Sequence, residues 1–177
     1  TAVGYDALGA NTTASDNTAV GHQALKLVTT GQNNIAIGKD TLDAITTSGA
    51  NTAVGNYVLG ACTNDNNSGF GYAALQLTTT GTYNSAFGYE ALRANTTANH
   101  NNAFGWKALY GSNTPSNNTG MWNVAMGTYA LYALTSGDHN TAVGPSAGNT
   151  ITSGCYNVSF GYTVNPSSTT GNTQLDI

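Results

Sequence analysis

Apolar and polar residues follow one pattern along this chain, and the pattern repeats about every 17 residues. Each repeat contains a small residue, a larger apolar residue and a Gly in direct succession. The Gly residues that end this string are Gly4, Gly21, Gly38, Gly55, Gly71, Gly88, Gly105, Gly127, Gly144 and Gly161. Their separations are all 17 except for one of 16, before Gly71, and one of 22, before Gly127. A fixed period of this length predicts a stack of similar structural units.

Other positions of the repeat also keep their residue type. Asn stands four residues before every Gly after the first: Asn17, Asn34, Asn51, Asn67, Asn84, Asn101, Asn123, Asn140 and Asn157. Ala stands two residues before the Gly in eight repeats, and Gly69 and Ser159 replace it in the others. The larger apolar residues directly before the Gly are Val3, Val20, Ile37, Val54, Phe70, Phe87, Phe104, Met126, Val143 and Phe160. After the Gly comes a short apolar segment, as in Ala24-Leu25, and a Thr-rich turn closes the repeat.

The apolar runs are too short for helices, because Gly and Asn interrupt them every few residues. We predict two short strands per coil, one over Asn-x-Ala and the following apolar residue and one centred on Ala-Leu, with the Gly at the corner between them. Stacked coils place each strand about 4.8 Å from its own copy, which gives a rod about 45 to 50 Å long. The predicted fold is an all-β parallel β-solenoid of about ten coils, forming a single repeat domain over residues 1–177.

The recurring Gly and Asn residues have structural explanations. A corner Gly can take a positive φ angle where a β-carbon would clash. An Asn column can form a ladder of side-chain amides that bond the coils above and below and also close the local turn. We therefore interpret both columns as structural and not as ligand sites.

The two strand faces are both predicted to be apolar, because successive strand residues point in opposite directions. A narrow coil can bury only one of the two apolar columns. We expect the Val, Ile, Phe and Met column to fill the interior and the Ala column to allow close approach of a second chain. Strands that are apolar on both faces are normally buried on both, so the pattern predicts a parallel homo-oligomer.

Composition and charge exclude several classes of protein. Only 7% of the residues are charged, whereas 40% are hydrophobic, which separates the chain from disordered polar tracts. The net charge is −4 and the four cations are scattered, so we expect no nucleic-acid partner. The chain has no apolar run long enough to cross a bilayer, so we expect no membrane insertion. Cys62 and Cys155 occupy different repeat positions, which argues against a disulfide between them.

The strings Asn17-Thr18-Ala19-Val20-Gly21, Asn51-Thr52-Ala53-Val54-Gly55 and Asn140-Thr141-Ala142-Val143-Gly144 resemble repeats of bacteriophage tail fibres. They are also similar to the head repeats of YadA-like trimeric autotransporter adhesins. The adhesin resemblance implies a left-handed β-roll, a homotrimer and display outside the cell. The period of 17 is longer than the usual adhesin repeat, and the Asn lies one place closer to the Gly, which favours the phage-fibre side.

Catalysis has no support in the sequence. His22, His100 and His139 have no Ser, Cys or carboxylate at a spacing typical of a catalytic triad. His100 and His139 share one repeat position but are two coils apart, which argues against a shared metal ion. We therefore expect no enzyme activity, no metal and no cofactor.

Two features could mediate recognition. The long spacing before Gly127 predicts an insertion loop within residues 111–122, a stretch that includes Asn113, Thr114 and Pro115. Aromatic residues also recur directly after the corner Gly: Tyr5, Tyr72, Tyr89, Trp106 and Tyr162. From the two features we select Tyr72, Tyr89, Trp106 and Trp122 as contacts for a glycan or receptor, with packing between chains as the alternative.

The sequence thus predicts a structural or adhesive segment of an extracellular or virion fibre, located on a virion or a bacterial cell surface. Both ends of the chain fall within a repeat, so we expect a fragment of a longer fibre. One alternative is a self-assembling extracellular filament. Another is an ice-binding solenoid, since Thr pairs recur, but a flat ice-binding face would need Thr-x-Thr instead of Thr-Thr.

Overall fold

A computed structural model describes residues 1–112 and 114–177, and over these residues the chain forms a parallel β-solenoid. Its strands are β1 (Ala2–Val3), β2 (Thr18–Val20), β3 (Ile35–Ile37), β4 (Thr52–Val54), β5 (Ser68–Phe70), β6 (Ser85–Phe87), β7 (Asn102–Phe104), β8 (Val124–Met126), β9 (Thr141–Val143), β10 (Val158–Phe160) and β11 (Leu175–Asp176). They form one sheet in chain order, and each strand pairs in parallel with the next. The predicted all-β solenoid of about ten coils is confirmed.

The register of the sheet follows the sequence repeat. Ala19 lies beside Ala36, and Ala36 lies beside Ala53. The pairing stays in phase across the 16-residue spacing before Gly71, where Phe70 lies beside Val54. It also stays in phase across the 22-residue spacing before Gly127, where Met126 lies beside Phe104. Changes in coil length are therefore absorbed outside the strands.

Each coil contains one strand, so the prediction of a second strand centred on Ala-Leu is wrong. The residues two and four positions after the corner Gly have positive φ angles, as at Gln23 (59°) and Leu25 (51°). The segment still bonds to both neighbouring coils, because the N–H of Gln23 donates to Tyr5 O at 2.8 Å and that of Leu25 donates to Thr41 O at 3.0 Å. Alternating left-handed residues turn the chain too sharply for a strand.

Burial explains why Leu adopts a conformation that is unfavourable for it. A left-handed conformation costs an L-residue roughly 1–2 kcal/mol. Leu25, Leu59, Leu75 and Leu92 are fully buried in this conformation. Burying a Leu side chain contributes about 1.5–3 kcal/mol, which offsets the backbone cost.

The interior is filled by the Ala column, so the expected orientation of the two strand faces is reversed. Ala19, Ala36 and Ala53 are completely buried and pack with the Leu residues of the turn segment in one continuous core. The larger residues before the corner Gly point outward, and Val3, Ile37, Phe104, Met126 and Phe160 are 39 to 57% exposed. With Leu already in the narrow interior, only a methyl group fits at the strand position facing it.

The corner Gly residues are required by both conformation and space. At Gly105 the φ angle is 138°, a region that L-residues rarely adopt. A β-carbon there would lie 2.6 Å from the carbonyl carbon and oxygen of Gly127 in the next coil. A side chain at this corner would therefore push neighbouring coils apart.

The insertion lies within the predicted range 111–122, between Gly111 and Thr119. Gly111 still bonds to the next coil, its N–H donating to Tyr132 O at 3.1 Å, and Thr119 does so again through Thr135 O at 2.9 Å. The segment between them carries a short 3-10 helix at Pro115–Asn117. Asn113 lies outside the described residues. Trp122 belongs to the regular repeat and not to the insertion.

Candidate functional site

The Asn column forms a continuous hydrogen-bonded series along the rod, here called the Asn ladder. Each side-chain oxygen accepts the backbone N–H of the Asn in the next coil at 2.8 to 3.1 Å. Each side-chain nitrogen donates to a backbone carbonyl in the turn of the next coil, as Asn84 does to Ala98 O at 2.9 Å. The side chains are almost completely buried. The Asn ladder thus belongs to the core and offers a ligand no free amide.

A second column of side chains, two residues before the ladder Asn in four of the coils, supports the same edge of the coil. Its oxygen or sulfur atoms accept an N–H from the preceding coil: Asp65 from Gly49 at 2.6 Å, Asn99 from Thr82 at 2.7 Å, Asp138 from Met121 at 2.7 Å and Cys155 from Asp138 at 3.3 Å. The sequence analysis missed this column because its residue types differ while the accepted bond is the same.

The outward side of the sheet carries a continuous apolar column, and we call this side the strand face. It consists of the first and third residue of each three-residue strand; the third residue is always apolar, whereas the first is Thr, Ser or Asn in six of these nine strands. Phe70, Phe87 and Phe104 stack along it with ring centroids 4.6 Å apart. Ile35 and Val158 in the first strand position are also exposed. A continuous apolar column of this kind is typical of a contact surface.

Five aromatic rings form a second exposed series, here called the five-ring stack. Tyr83, His100, Trp122, His139 and Tyr156 occupy the position directly before the ladder Asn in successive coils. Their centroids are 5.0, 3.8, 6.3 and 4.8 Å apart, with interplanar angles of 15° or less. The sequence analysis noted the shared position of the two His residues but not the three rings between and beside them.

The five-ring stack changes the role expected for Trp122. His100 covers one face of the indole with its centroid 3.8 Å away, whereas the centroid of His139 on the other side is 6.3 Å away, and Trp122 is 51% exposed. A sugar ring packs on an aromatic face. As a glycan contact, Trp122 thus offers at most one ring face.

Tyr72 and Tyr89 also stack on each other, at 5.2 Å and 11°. Trp106, the next residue in this column, instead meets Tyr129 edge-on at 4.5 Å and 67°. Trp106 thus lies where the regular stacking of the column ends.

Charged residues are concentrated on one side of the rod, here called the charged face, which consists of the first six residues after each corner Gly. It carries all four cations and half of the eight acidic residues: Asp6, Lys26, Lys39, Asp40, Asp43, Glu90, Arg93 and Lys107. Several of these are paired, such as Lys26 with Asp6 at 3.4 Å. Exposed pairs of this kind stabilise a protein only slightly, so they mark a side of the rod that faces water.

One part of the charged face combines cations with aromatic rings. We call it the Trp106 patch, and it consists of Glu90, Arg93, Trp106, Lys107, Tyr110 and Tyr129. The ammonium of Lys107 lies 3.4 Å from Glu90 and 5.2 and 5.3 Å from the ring centroids of Trp106 and Tyr110. Desolvation is the largest single influence on the pKa of Lys107 and lowers it, but the hydrogen bond and charge of Glu90, together with Tyr132 and Tyr129, outweigh it and raise the pKa, so the ammonium stays protonated. Arg93 donates to Gln76 at 2.9 Å and to the Tyr110 hydroxyl at 3.0 Å.

The Thr pairs are arranged differently from an ice-binding surface. The first Thr of a pair uses its hydroxyl internally, as Thr12 donates to Thr29 O at 3.0 Å and Thr79 to Thr96 O at 3.2 Å. The second Thr, such as Thr30 or Thr80, is exposed, and in the pairs that begin at Thr12 and Thr46 the first Thr is exposed as well. Because hydroxyls of the first row, such as those of Thr12 and Thr79, bond to the next coil, the pairs do not form the flat two-row array of free hydroxyls that the ice-binding alternative requires.

Within residues 1–112 and 114–177, no three His, Cys, Asp or Glu side chains come together as a metal site would require. In the same part of the chain, no helix has the length and hydropathy needed to cross a membrane. Cys62 is buried, Cys155 is half-buried, and both are free thiols.

Fold and surface together define the class as a parallel β-solenoid repeat protein. Comparison with family models, with curated proteins and with solved structures found no match to this chain.

Proposed function

We propose that this chain is a non-catalytic, rod-forming segment of an extracellular or virion fibre that works as a parallel homotrimer. The observation that carries the proposal is the strand face, whose apolar column runs the length of the rod. Left unpaired, such a column would expose hydrophobic surface on every coil. A second copy of the chain is the partner that best fits it.

The composition of the strand face supports a parallel, in-register arrangement of copies. Where the third strand position is Phe, as at Phe70, Phe87 and Phe104, the first position is Ser68, Ser85 or Asn102. Where the third position is Val or Ile, the first is Thr18, Ile35, Thr52 or Thr141. Large and small residues thus compensate within most coils, although Met126 and Phe160 each stand beside a Val.

Compensation within a coil matters only if each coil meets the equivalent coil of its neighbour. In a parallel assembly about an axis along the rod, equal widths in every layer keep the rods straight and equidistant. In an antiparallel assembly, compensation would instead be needed between the two ends of the rod. The number three and the left-handed coil are taken from the resemblance to adhesin heads.

The charged face supports the same orientation of the rods. Its ion pairs have water-exposed partners and would lose hydration in an interface. The strand face is accordingly the side turned toward the axis, and the charged face is the side displayed outward. Attachment to a host glycan or receptor, the adhesive part of the proposal, belongs on the displayed side.

The decisive experiment is the molar mass of the purified chain by light scattering, with Phe87→Glu as the test variant. We expect the mass of three chains for the unchanged protein and a lower mass for Phe87→Glu, because a carboxylate in an apolar interface is strongly unfavourable. Leu27→Glu is the control, since Leu27 is an exposed apolar residue on the charged face, whereas Phe87 is half-buried on the strand face.

The control should keep the mass of three chains. A monomeric unchanged protein, or equal dissociation by both variants, would contradict self-association through the strand face.

A further inference from the structure

We infer that the Trp106 patch is a binding site for an anionic carbohydrate. The inference rests on the proposed function, because it takes the charged face as the side displayed in the assembly. It assigns a ligand class to that side and a role to Trp106, Lys107, Arg93 and Tyr129.

The local charge of the Trp106 patch favours an anionic ligand. Over the coils that begin at Gly4, Gly21 and Gly38, the charged face carries two cations and three acids, a balance of 2 − 3 = −1. Over the coils that begin at Gly88 and Gly105, it carries Arg93 and Lys107 with Glu90, a balance of 2 − 1 = +1. The patch is therefore a positive region in a chain whose net charge is −4. An anionic ligand would be attracted to this region in preference to the acidic first three coils of the same face.

The cations of the Trp106 patch are held in position but retain free donors. Glu90 engages Lys107 through one carboxylate oxygen, and an ammonium has three donors. Gln76 and Tyr110 fix the plane of the Arg93 guanidinium through Nε and Nη1. Among the described residues, no hydrogen bond is made by Nη2 of Arg93. A fixed guanidinium with a free edge is suited to a carboxylate or sulfate group.

The orientation of the aromatic rings in the Trp106 patch suits contact with a sugar. Tyr110 and Tyr132 occupy equivalent positions of adjacent coils and stack along the rod at 5.4 Å and 18°. Tyr129 stands at 88° to Tyr132 and at 67° to Trp106, so its plane runs along the rod. Most ring pairs elsewhere on the rod are stacked, although Tyr57 meets Tyr72 edge-on at 5.6 Å and 79°. In the Trp106 patch the plane of Tyr129 lies across the stacking direction, as contact with the apolar side of a sugar requires, and there the ring adjoins a positive region.

A comparable pair on the same face shows that a cation beside a ring is not sufficient. Lys39 lies 5.4 Å from the ring centroid of Tyr57 and donates to its hydroxyl at 3.1 Å. Asp40, 3.6 Å from that ammonium, and Asp43 make this region acidic. Lys39 thus provides an internal control with the same local chemistry and the opposite electrostatic setting.

The test is isothermal titration calorimetry of the assembled protein with three tetrasaccharides. Hyaluronan tetrasaccharide carries carboxylates, a heparin tetrasaccharide carries mainly sulfates, and chitotetraose is neutral. We expect at least one acidic tetrasaccharide to bind about tenfold or more tightly than chitotetraose. The preferred acid then identifies the anionic group.

Variants are chosen from residues that the repeat already accepts at the same position. Lys107→Gln copies Gln23, Trp106→Thr copies Thr128 and Arg93→Gln copies Gln76. Each should weaken binding of the acidic tetrasaccharide by about tenfold, whereas Lys39→Gln should leave binding unchanged. Three separate variants keep the test valid if one of them fails to fold.

Absence of binding to both acidic tetrasaccharides would overturn the inference, as would equal binding of chitotetraose or an equal loss with Lys39→Gln. Light scattering on the same samples separates the two proposals. A trimer that binds no acidic sugar contradicts only the ligand site, and a monomer contradicts the assembly on which it rests.

Discussion

At the scale of single residues, the Asn ladder shows how a polar group becomes a core element. Burying an amide is unfavourable unless its hydrogen bonds are replaced. In each coil the ladder Asn replaces them with the next Asn N–H and with a turn carbonyl. The same side chain thereby fixes the spacing of neighbouring coils and the shape of the turn.

Removing one ladder amide should therefore cost more than one ordinary hydrogen bond. Asn84→Ala leaves the N–H of Asn101 without its partner in a buried site and removes one of the two side-chain donors, Asn84 and Asn95, that the carbonyl of Ala98 accepts from. We expect the free energy of unfolding to fall by about 2–4 kcal/mol. Urea denaturation followed by circular dichroism measures the change.

Asn117→Ala is the control for this substitution, because Asn117 is an exposed Asn in the insertion. Its unfolding free energy should stay within about 0.5 kcal/mol of the unchanged protein. A similar loss in both variants would show that the ladder has no special energetic role.

At the scale of the coil, the core is complementary between the strand and the turn segment. In most coils both facing positions are Ala, but in one coil the turn residue is Val58 and the strand residue is Gly69. A β-carbon at Gly69 would lie 2.5 Å from Cγ1 of Val58. The larger residue on one side thus requires the smaller residue on the other.

Replacing both residues by Ala should lower the unfolding free energy less than replacing Gly69 alone. Gly69→Ala should lower the unfolding free energy by about 1–3 kcal/mol through overpacking. Adding Val58→Ala should recover stability, because the pair then matches the Ala-Ala pair of other coils. Unfolding free energies of both single variants and the double variant give the coupling energy directly. Purely additive losses would contradict direct packing between the two positions.

The strand, the corner and the Asn ladder could be predicted from the sequence because each depends on one residue type at one spacing. The turn segment could not, because Leu25 and its equivalents take a left-handed conformation only when burial offsets its cost. The direction of the two apolar columns also could not, since it depends on how much room Leu leaves in the interior. Trp122 was assigned to the insertion because the sequence shows that five residues are added but not which ones. Its place in the regular repeat follows only once the bounds of the insertion are known.

At the scale of the whole molecule, the coils share one continuous core and differ in access from outside. Cys62 lies within that core and its neighbours include Leu59 and Leu75. Burial raises the pKa of the Cys62 thiol. Cys155 lies in the partly exposed column beside the Asn ladder.

The two thiols should therefore react at very different rates. With a disulfide reagent at neutral pH, Cys155 should be modified in the native protein and Cys62 on the order of a hundredfold more slowly, because Cys62 must wait for its coil to open. Single-cysteine variants, Cys62→Ala and Cys155→Ser, report each rate separately. Rapid modification of Cys62 in the native state would show that the middle of the rod opens locally.

The position of the irregular coils has a consequence for how such a rod changes over generations. The short coil before Gly71 and the long coil before Gly127 both keep the strand, the corner and the Asn in register and differ only in the polar turn. Duplication or loss of a whole coil in the gene would therefore leave every column aligned. A change of one whole repeat would lengthen or shorten the rod without a new folding problem, and new loops can be acquired at the turn while the shaft stays the same.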